Sequence, residues 1–233
     1  MTRKWMRTGV LALLVSGPAL AAAPDSAPMR VDVSSTVSLS KPVWSLKAAR
    51  FRNVVQQQTD YSCGAAALAT LLRYAYGLHI DEGDLIEAMM GVSDPELVRT
   101  QGFSMLDMKT LVEAIGLRGR GYQMKLEDLP TIRVPTISLV DYRGYKHFVI
   151  VQRATRDVVF MADPVLGNRR VSLKEFGEGW NGVLLAVIGP NYNRNNVLLT
   201  PPDPLRRSRM VNEFRPIRDA DLMEFGFTQS DFF

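Results

Sequence analysis

The chain contains very little cysteine or histidine. Among 233 residues there are one cysteine, Cys63, and two histidines, His79 and His147. One cysteine cannot form an internal disulfide, and so few soft ligands cannot build a closed structural zinc site. We therefore predict no metal and no cofactor. In an exported chain, an odd cysteine is either a reactive thiol or a small buried hydrophobic side chain.

The N-terminal sequence has no hydrophobic run long enough to span a bilayer, which takes about 20 residues. Its apolar segment, residues 9–16, follows a basic start and precedes Ala19-Leu20-Ala21, a small-x-small cleavage pattern. We expect residues 1–21 to be a cleaved signal peptide, with an uncleaved anchor as the alternative. The rest of the chain is then expected in the periplasm, without a stable membrane span.

A strong excess of one charge is also lacking. The chain has 28 basic and 24 acidic residues, and without Arg3, Lys4 and Arg7 the balance is 25 to 24. The basic character therefore belongs mostly to the expected signal peptide, and we predict no nucleic-acid partner. With 46% hydrophobic residues, the remaining chain is sufficient for one core rather than two ordinary domains.

Helical signals dominate the first half of the remaining chain. Residues 22–48 are rich in Ser, Pro and Ala, which indicates a loose segment with an edge strand near 31–37. The following patterns predict a buried helix over 62–76 that ends at Gly77, a helix over 82–90 capped by Asp81, a short helix capped by Ser93, and a helix over 106–115 that begins with Ser104 and Asp107.

Alternating, β-branched sequence dominates the second half. It predicts strands over 134–140, 147–153, 158–162, 169–171 and 183–188, so the fold class is α+β with an antiparallel sheet. Residues 191–233 read as a C-terminal tail with one short helix near 220–225. Four phenylalanines in 225–233 either dock on the parent domain or bind a partner.

Cys63 lies where the buried helix is predicted to begin. A helix N-terminus favours an anion, and the thiolate is the nucleophilic form of cysteine. Such a nucleophile needs a base and a group that orients the base. His79 follows the other end of the helix, about 20 Å away, whereas His147 opens a strand. Asp163 ends the next strand, and an antiparallel pairing would bring it beside His147.

A site for acyl transfer also needs donors for the oxyanion of the tetrahedral intermediate. The Cys63 backbone N–H is one candidate. A glutamine amide just upstream is another, and Gln56, Gln57 and Gln58 are all available. Spacing alone does not choose among the three.

The sequence QQTDYSCGAAALATLL, with HFVIV and ADPVLGN downstream, resembles the peptidase C39 family of papain-like cysteine peptidases. The resemblance runs from about residue 54 to 188, and it implies a peptidase domain over 49–190. It implies helices packed on an antiparallel sheet in a papain-like fold. It also implies that Cys63 is the nucleophile, His147 the base, Asp163 the orienting group and Gln57 the oxyanion donor.

The resemblance implies cleavage of a peptide bond, in the best-known family members after a Gly-Gly leader. Those members are fused to exporters and act in the cytoplasm, and many have Asp where this chain has Ser62. The stand-alone, exported form is similar to the C39-like protein of functional-amyloid (Fap) secretion operons.

We therefore predict a periplasmic cysteine endopeptidase that acts on an exported protein or leader. Its partners would be that polypeptide and, through the phenylalanine-rich tail, secretion or amyloid-assembly proteins. A catalytically silent peptide-binding adaptor or chaperone is the alternative. Acyl transfer to an amine is a third reading of the same site.

Overall fold

The structure is a computed structural model that describes residues 26–34, 37–142 and 144–202. The chain divides into two compact units, with the boundary after Val43. Strands β1 (Ser26–Ser34) and β2 (Val37–Trp44) form a two-stranded sheet. The sequence predicted a loose segment with one edge strand here. The predicted signal peptide, the predicted helix at 220–225 and the phenylalanine-rich end lie outside the described residues.

The second unit contains the helices whose ends the sequence signals most clearly. The bounds are α1 (Leu46–Arg50), α2 (Cys63–Tyr76), α3 (Glu82–Met90), α4 (Pro95–Gln101), α5 (Met105–Ala114) and α6 (Leu173–Gly179). The predicted bounds of α2, α3 and α5 are confirmed to within one residue. Gly77 ends α2 with a left-handed φ of 70°, and capping boxes begin α3 and α5.

The predicted cap of α4 was wrong. Asp94, rather than Ser93, accepts hydrogen bonds from the backbone N–H groups of Glu96 at 2.9 Å and Leu97 at 3.4 Å. The N-cap is the residue directly before the first helical position, which Pro95 occupies. The short helices α1 and α6 were not predicted. Each follows a capping serine, but neither is long enough to show a helical period.

The sheet of the second unit is antiparallel and has six strands in the order β3-β8-β4-β5-β6-β7. Their bounds are β3 (Arg118–Gln123), β4 (Thr136–Tyr142), β5 (Tyr145–Ala154), β6 (Val158–Asp163), β7 (Gly167–Ser172) and β8 (Trp180–Ile188). All but β3 were predicted, and the α+β fold class is confirmed. Short 3-10 helices span Leu126–Thr131 and Val197–Leu199.

The two faces of the sheet carry separate parts of the core. On one face α2 packs against the strands, and its buried Leu68 and Leu72 share a cluster with Ile150 of β5. On the other face Leu129 and Phe176 cover a second cluster. The alanines of α2 are fully buried, so the helix can approach the sheet closely. This packing places the N-terminal end of α2 near β5.

The first residues of the predicted tail pack on the domain instead of leaving it. The backbone N–H of Asn193 donates to the Ala75 carbonyl at 2.8 Å. The Tyr192 ring lies 5.6 Å from the Tyr76 ring, and Leu198 is fully buried. The sequence did not predict this packing, because single buried side chains in a polar segment produce no periodic pattern.

Candidate active site

Cys63 is the first residue of α2, and its thiol is free and partly exposed. The first hydrogen bond within the helix runs from Ala66 N–H to the Ser62 carbonyl at 2.9 Å. Ser62 occupies the N-cap position, but its side chain makes no capping hydrogen bond. The N–H groups of the first turn therefore remain uncapped by Ser62, and they point toward the end of the helix where Cys63 lies.

His147 and Asp163 form a buried pair on adjacent strands. His147 Nε2 and Asp163 Oδ1 lie 2.8 Å apart, and both side chains are almost completely buried. His147 is near the start of β5 and Asp163 ends β6, so the antiparallel pairing brings them together, as the sequence predicted. Since Asp163 takes Nε2, the other ring nitrogen, Nδ1, is the atom left to exchange a proton with a thiol.

Asp163 is held by several donors besides His147. Its Oδ1 also accepts hydrogen bonds from the backbone N–H groups of Val165 at 2.8 Å and Leu166 at 2.9 Å. The Arg169 guanidinium lies 3.7 Å from Oδ2. Burial would raise the pKa of Asp163, but His147 and the two backbone donors outweigh burial and lower it. Asp163 is thus a fixed, charged partner for the imidazole.

The surroundings of His147 favour the imidazolium form. Burial would lower its pKa, but the hydrogen bond with Asp163, the neighbouring Cys63 side chain and the charges of both raise it to about 9. The thiol lies beside the ring without the geometry of a formed hydrogen bond, because Nδ1 has no hydrogen-bond partner among the described residues. Catalytic hydrogen bonds are often loose without substrate. The protonated imidazole of His147 is therefore the form that lies beside the Cys63 side chain.

Tyr145 forms part of the wall around the imidazole. Its ring stacks on the His147 ring with centroids 5.9 Å apart and an interplanar angle of 25°. Burial, followed by the nearby Cys63, Asp60 and Asp163, raises the pKa of Tyr145. Tyr145 therefore stays a neutral phenol next to the ion pair. Sequence reasoning did not identify it, because it placed Tyr145 in the turn before the predicted strand 147–153, where a tyrosine is ordinary.

The three glutamines differ in their surroundings. Gln57 is partly buried, and its side-chain Nε2 donates to the Thr59 carbonyl at 2.5 Å. Its Oε1 is buried without a partner among the described residues. One of the two amide hydrogens is engaged with Thr59, so the second remains for a substrate oxygen. The exposed Gln58 instead turns its amide to the Gln56 carbonyl at 3.2 Å.

The other histidine, His79, lies outside the site. His79 is exposed and follows the C-terminal end of α2, at the opposite end from Cys63.

In the part of the chain that the structure describes, no three His, Cys, Asp or Glu side chains form a group that could hold a metal ion. Within the same residues, no helix has the length and hydrophobicity that crossing a membrane requires.

Comparisons with known proteins agree on one family. The Peptidase C39 family model matches residues 52–191. The probable functional amyloid protease FapD of Pseudomonas aeruginosa is 54% identical over 193 residues, which is 83% of this chain and 85% of that protein. The Pseudomonas fluorescens protein of the same name is 55% identical over the same shares of both chains.

Solved structures of C39 peptidase domains share the fold. The peptidase domain of Streptococcus ComA matches with a TM-score of 0.50 and 21% identity, over 58% of this chain and 96% of that one. A double glycine motif protease from an AMS/PCAT transporter, solved with its leader peptide, also matches with a TM-score of 0.50. It is 25% identical and covers 58% of this chain and 89% of that one. By its sequence and its fold, this chain belongs to the Peptidase C39 family.

Proposed function

We propose that the chain is a cysteine endopeptidase of the periplasm that hydrolyses a peptide bond in an exported protein or its leader. The observation that carries this proposal is the buried His147–Asp163 pair beside Cys63, at the uncapped N-terminus of α2. Nucleophile, base and orienting carboxylate are contributed by three separate elements. Cysteine peptidases use the same three groups, in which the carboxylate orients the base and the base activates the nucleophile.

In the first half of the reaction, the Cys63 thiolate attacks the carbonyl carbon of the scissile peptide. The carbonyl oxygen becomes an oxyanion, which accepts hydrogen bonds from the Cys63 N–H and the free amide hydrogen of Gln57. His147 then donates its Nδ1 proton to the leaving amine as the C–N bond breaks. The products of this half are a thioester on Cys63 and a released amine.

In the second half, a water molecule replaces the amine. Neutral His147 takes a proton from the water at Nδ1 while the oxygen attacks the thioester carbonyl. The C–S bond breaks, the carboxylic acid product leaves, and the thiolate and imidazolium re-form. Asp163 keeps its hydrogen bond to Nε2 throughout, so it fixes the orientation of the ring and stabilises its positive charge.

The substrate class follows from relatives and from the predicted export of the chain. Two relatives more than half identical to it are named as probable functional amyloid proteases. A structural neighbour holds a leader peptide. We infer that the substrate is a component or leader of an exported amyloid system. The expected signal peptide supports a periplasmic location.

The test compares the exported proteins of cells that carry the wild-type chain or Cys63→Ala. The N-termini of periplasmic and secreted proteins are mapped by mass spectrometry, and His79→Gln serves as the control because His79 is exposed and outside the site. We expect at least one N-terminus present in wild-type and His79→Gln cells to be replaced by its uncut precursor in Cys63→Ala cells.

The result also separates the competing functions. Identical N-termini in all three strains, with the precursor bound to the chain, would support a peptide-binding adaptor instead. A product whose new carboxyl group is joined to an amine would indicate acyl transfer rather than hydrolysis. Either result would contradict the proposal of an endopeptidase.

A further inference from the structure

A buried carboxylate outside the predicted site holds the loop that carries Gln57 and Cys63. Glu82 is the first residue of α3, and only 5% of its surface is exposed. Carboxylates are rarely this buried unless they are paired or hydrogen-bonded. The start of α3 is itself fixed, because the Asp81 and Asp84 side chains each accept from the other's backbone N–H.

Glu82 binds both ends of the segment between Gln58 and Ser62. The Gln58 backbone N–H lies 3.0 Å from both carboxylate oxygens, Oε1 and Oε2. The Ser62 hydroxyl forms a hydrogen bond with Oε1. A single side chain therefore fixes the two residues that directly follow Gln57 and precede Cys63. Hydrogen bonds to a charged acceptor are stronger than those between neutral groups.

The backbone N–H groups of Gln57 and Gln58 bind different parts of the fold. The Gln57 N–H donates to the carbonyl of Pro164, the residue that follows Asp163, at 2.9 Å. Gln57 is thus tied to the strand end that holds the orienting carboxylate. Gln58 is tied to α3. Together the two bonds set the direction of the backbone from which the Gln57 amide extends.

The bond to Ser62 affects the N-terminus of α2. A serine at this position usually accepts a hydrogen bond from an N–H of the first helical turn. Here the backbone of Ser62 has φ −98° and ψ 9°, and its hydroxyl interacts with Glu82 and the Thr59 carbonyl. The Ser62 hydroxyl donates toward these two oxygens and accepts no hydrogen bond from the helix, so the first-turn N–H groups of α2 stay available to a substrate oxyanion.

We propose that Glu82 is a positioning residue of the peptidase site. It holds the segment from Gln57 to Cys63 in the conformation in which the glutamine amide and the uncapped helix N–H groups can bind one oxyanion. This inference rests on the proposed peptidase function and adds a specific requirement to it. Glu82 affects the step that forms an oxyanion and leaves the nucleophilicity of the Cys63 sulfur unchanged.

Two reactions of the same sulfur separate this role from a general structural one. With p-nitrophenyl acetate, the thiolate attacks the ester carbonyl, an oxyanion forms, p-nitrophenolate leaves and an acetyl thioester remains. With iodoacetamide, the sulfur displaces iodide from a saturated carbon, and no oxyanion forms. The ratio of the two rates reports oxyanion binding, and neither reagent requires knowledge of the natural substrate.

The experiment measures both rates on the purified full chain, well below its unfolding temperature, for Glu82→Gln, Glu82→Ala and Ser62→Ala. Glu87→Gln is the matched control, because Glu87 is an exposed residue of the same helix. We expect acetylation to fall about 10-fold in Glu82→Gln and about 10²-fold in Glu82→Ala. The acetylation rate of Ser62→Ala should lie between the rates of wild type and Glu82→Ala. The alkylation rate of every variant should stay within about twofold of the wild-type rate.

A double variant tests whether Glu82 acts through the oxyanion site. In Gln57→Ala, one oxyanion donor is already absent, so adding Glu82→Ala should cost less than it does in the wild-type background. The inference is overturned if the acetylation and alkylation rates fall in parallel, or if Glu82→Gln and Glu82→Ala both acetylate at the wild-type rate. It is also overturned if the loss of acetylation rate in the double variant equals the product of the losses in Gln57→Ala and Glu82→Ala.

Failure of the proposed peptidase function would look different. In that case the wild-type chain and Gln57→Ala would acetylate at the same slow rate, and no substitution would change the ratio of the two reactions. A wild-type chain that acetylates fast and depends on Gln57 but not on Glu82 would retain the peptidase function and remove only the role of Glu82.

Discussion

The Nε2 atom of His147 and the Oδ1 atom of Asp163 lie 2.8 Å apart, and both side chains are almost completely buried. This contact fixes the orientation of the imidazole and leaves Nδ1 as the proton carrier. It also stabilises positive charge on a ring that burial alone would keep neutral.

Substitutions of Asp163 should separate charge from orientation. Asp163→Asn keeps an oxygen that can accept from Nε2 but removes the negative charge, so the pKa of His147 should fall from about 9 toward its usual range. Asp163→Ala should lower that pKa and also release the ring. The measurement is an NMR pH titration of the histidine rings, with His79→Gln to assign the two signals.

The catalytic effect of the same variants should differ in size. Acetylation of Cys63 by p-nitrophenyl acetate should fall by about 10²-fold or more in Asp163→Ala, because orientation is lost. Asp163→Asn should retain a larger share of the rate. Equal rates in wild type and Asp163→Ala would mean that His147 does not need its partner.

Stability should depend on pH through His147. Its pKa is about 6.5 in an unfolded chain and about 9 in the folded one. The contribution of the raised pKa, on the order of 3 kcal/mol, is therefore fully present below pH 6.5 and is lost as pH rises through 9. Urea unfolding of wild type and His147→Gln should show a difference in free energy that shrinks over this interval.

The control for that titration is His79→Gln, which should not reproduce the same pH-dependent difference from wild type. Asp163 contributes with the opposite sign. Its pKa is lowered by folding, so its contribution is present above its unfolded pKa and is lost as pH falls through the folded value. A wild-type advantage over His147→Gln that grows between pH 6.5 and 9 would contradict the assignment.

Gln57 should matter more than its two neighbours. Gln57→Ala removes an oxyanion donor and should lower the acetylation rate of Cys63 by about 10²- to 10³-fold. Gln56→Ala and Gln58→Ala serve as matched controls and should stay within a few-fold of wild type, because the bond from Gln58 to Glu82 uses the backbone N–H. A larger loss in either control would assign the donor to that residue.

Asn168 should stabilise the fold by holding the segment before α2 against β7. Its buried Nδ2 donates to the carbonyls of Arg50 at 3.1 Å and Arg52 at 2.8 Å, so it ties the chain before α2 to β7. Asn168→Ala leaves these carbonyls unpaired and should lower the free energy of unfolding by about 1–3 kcal/mol. Urea unfolding measures the loss, and the exposed Asn195→Ala should stay within about 0.5 kcal/mol of wild type.

Features with a local cause were predictable from sequence. The ends of α2, α3 and α5 follow from single residues that cap or stop a helix, such as Gly77 and Ser104. The proximity of His147 and Asp163 follows from a short hairpin between alternating strands. The choice of Gln57 among three glutamines required a family resemblance, because it depends on the path of a loop.

Features that depend on distant contacts were not predictable. The edge strand β3 has the sequence RGRGYQ, which lacks β-branched residues. It is held by antiparallel pairing with β8, and Gly119 lets it lie close to α5. A Cβ at Gly119 would lie 2.8 Å from a Lys109 side-chain atom. Glu82 looks like an ordinary acid in a first helical turn, and only the fold shows that it is buried and bonded to Gln58 and Ser62.

The acyl-enzyme itself decides whether Cys63 is a nucleophile activated by His147. The full chain is mixed with p-nitrophenyl acetate, quenched in acid at short times and mapped by mass spectrometry. The wild-type chain should carry the acetyl group on Cys63 within the burst of p-nitrophenol release, His79→Gln should match it, and His147→Gln should be slower by about 10²-fold or more. An equally fast acetylation of Cys63 in His147→Gln, or a burst that leaves Cys63 unmodified, would contradict the proposed mechanism.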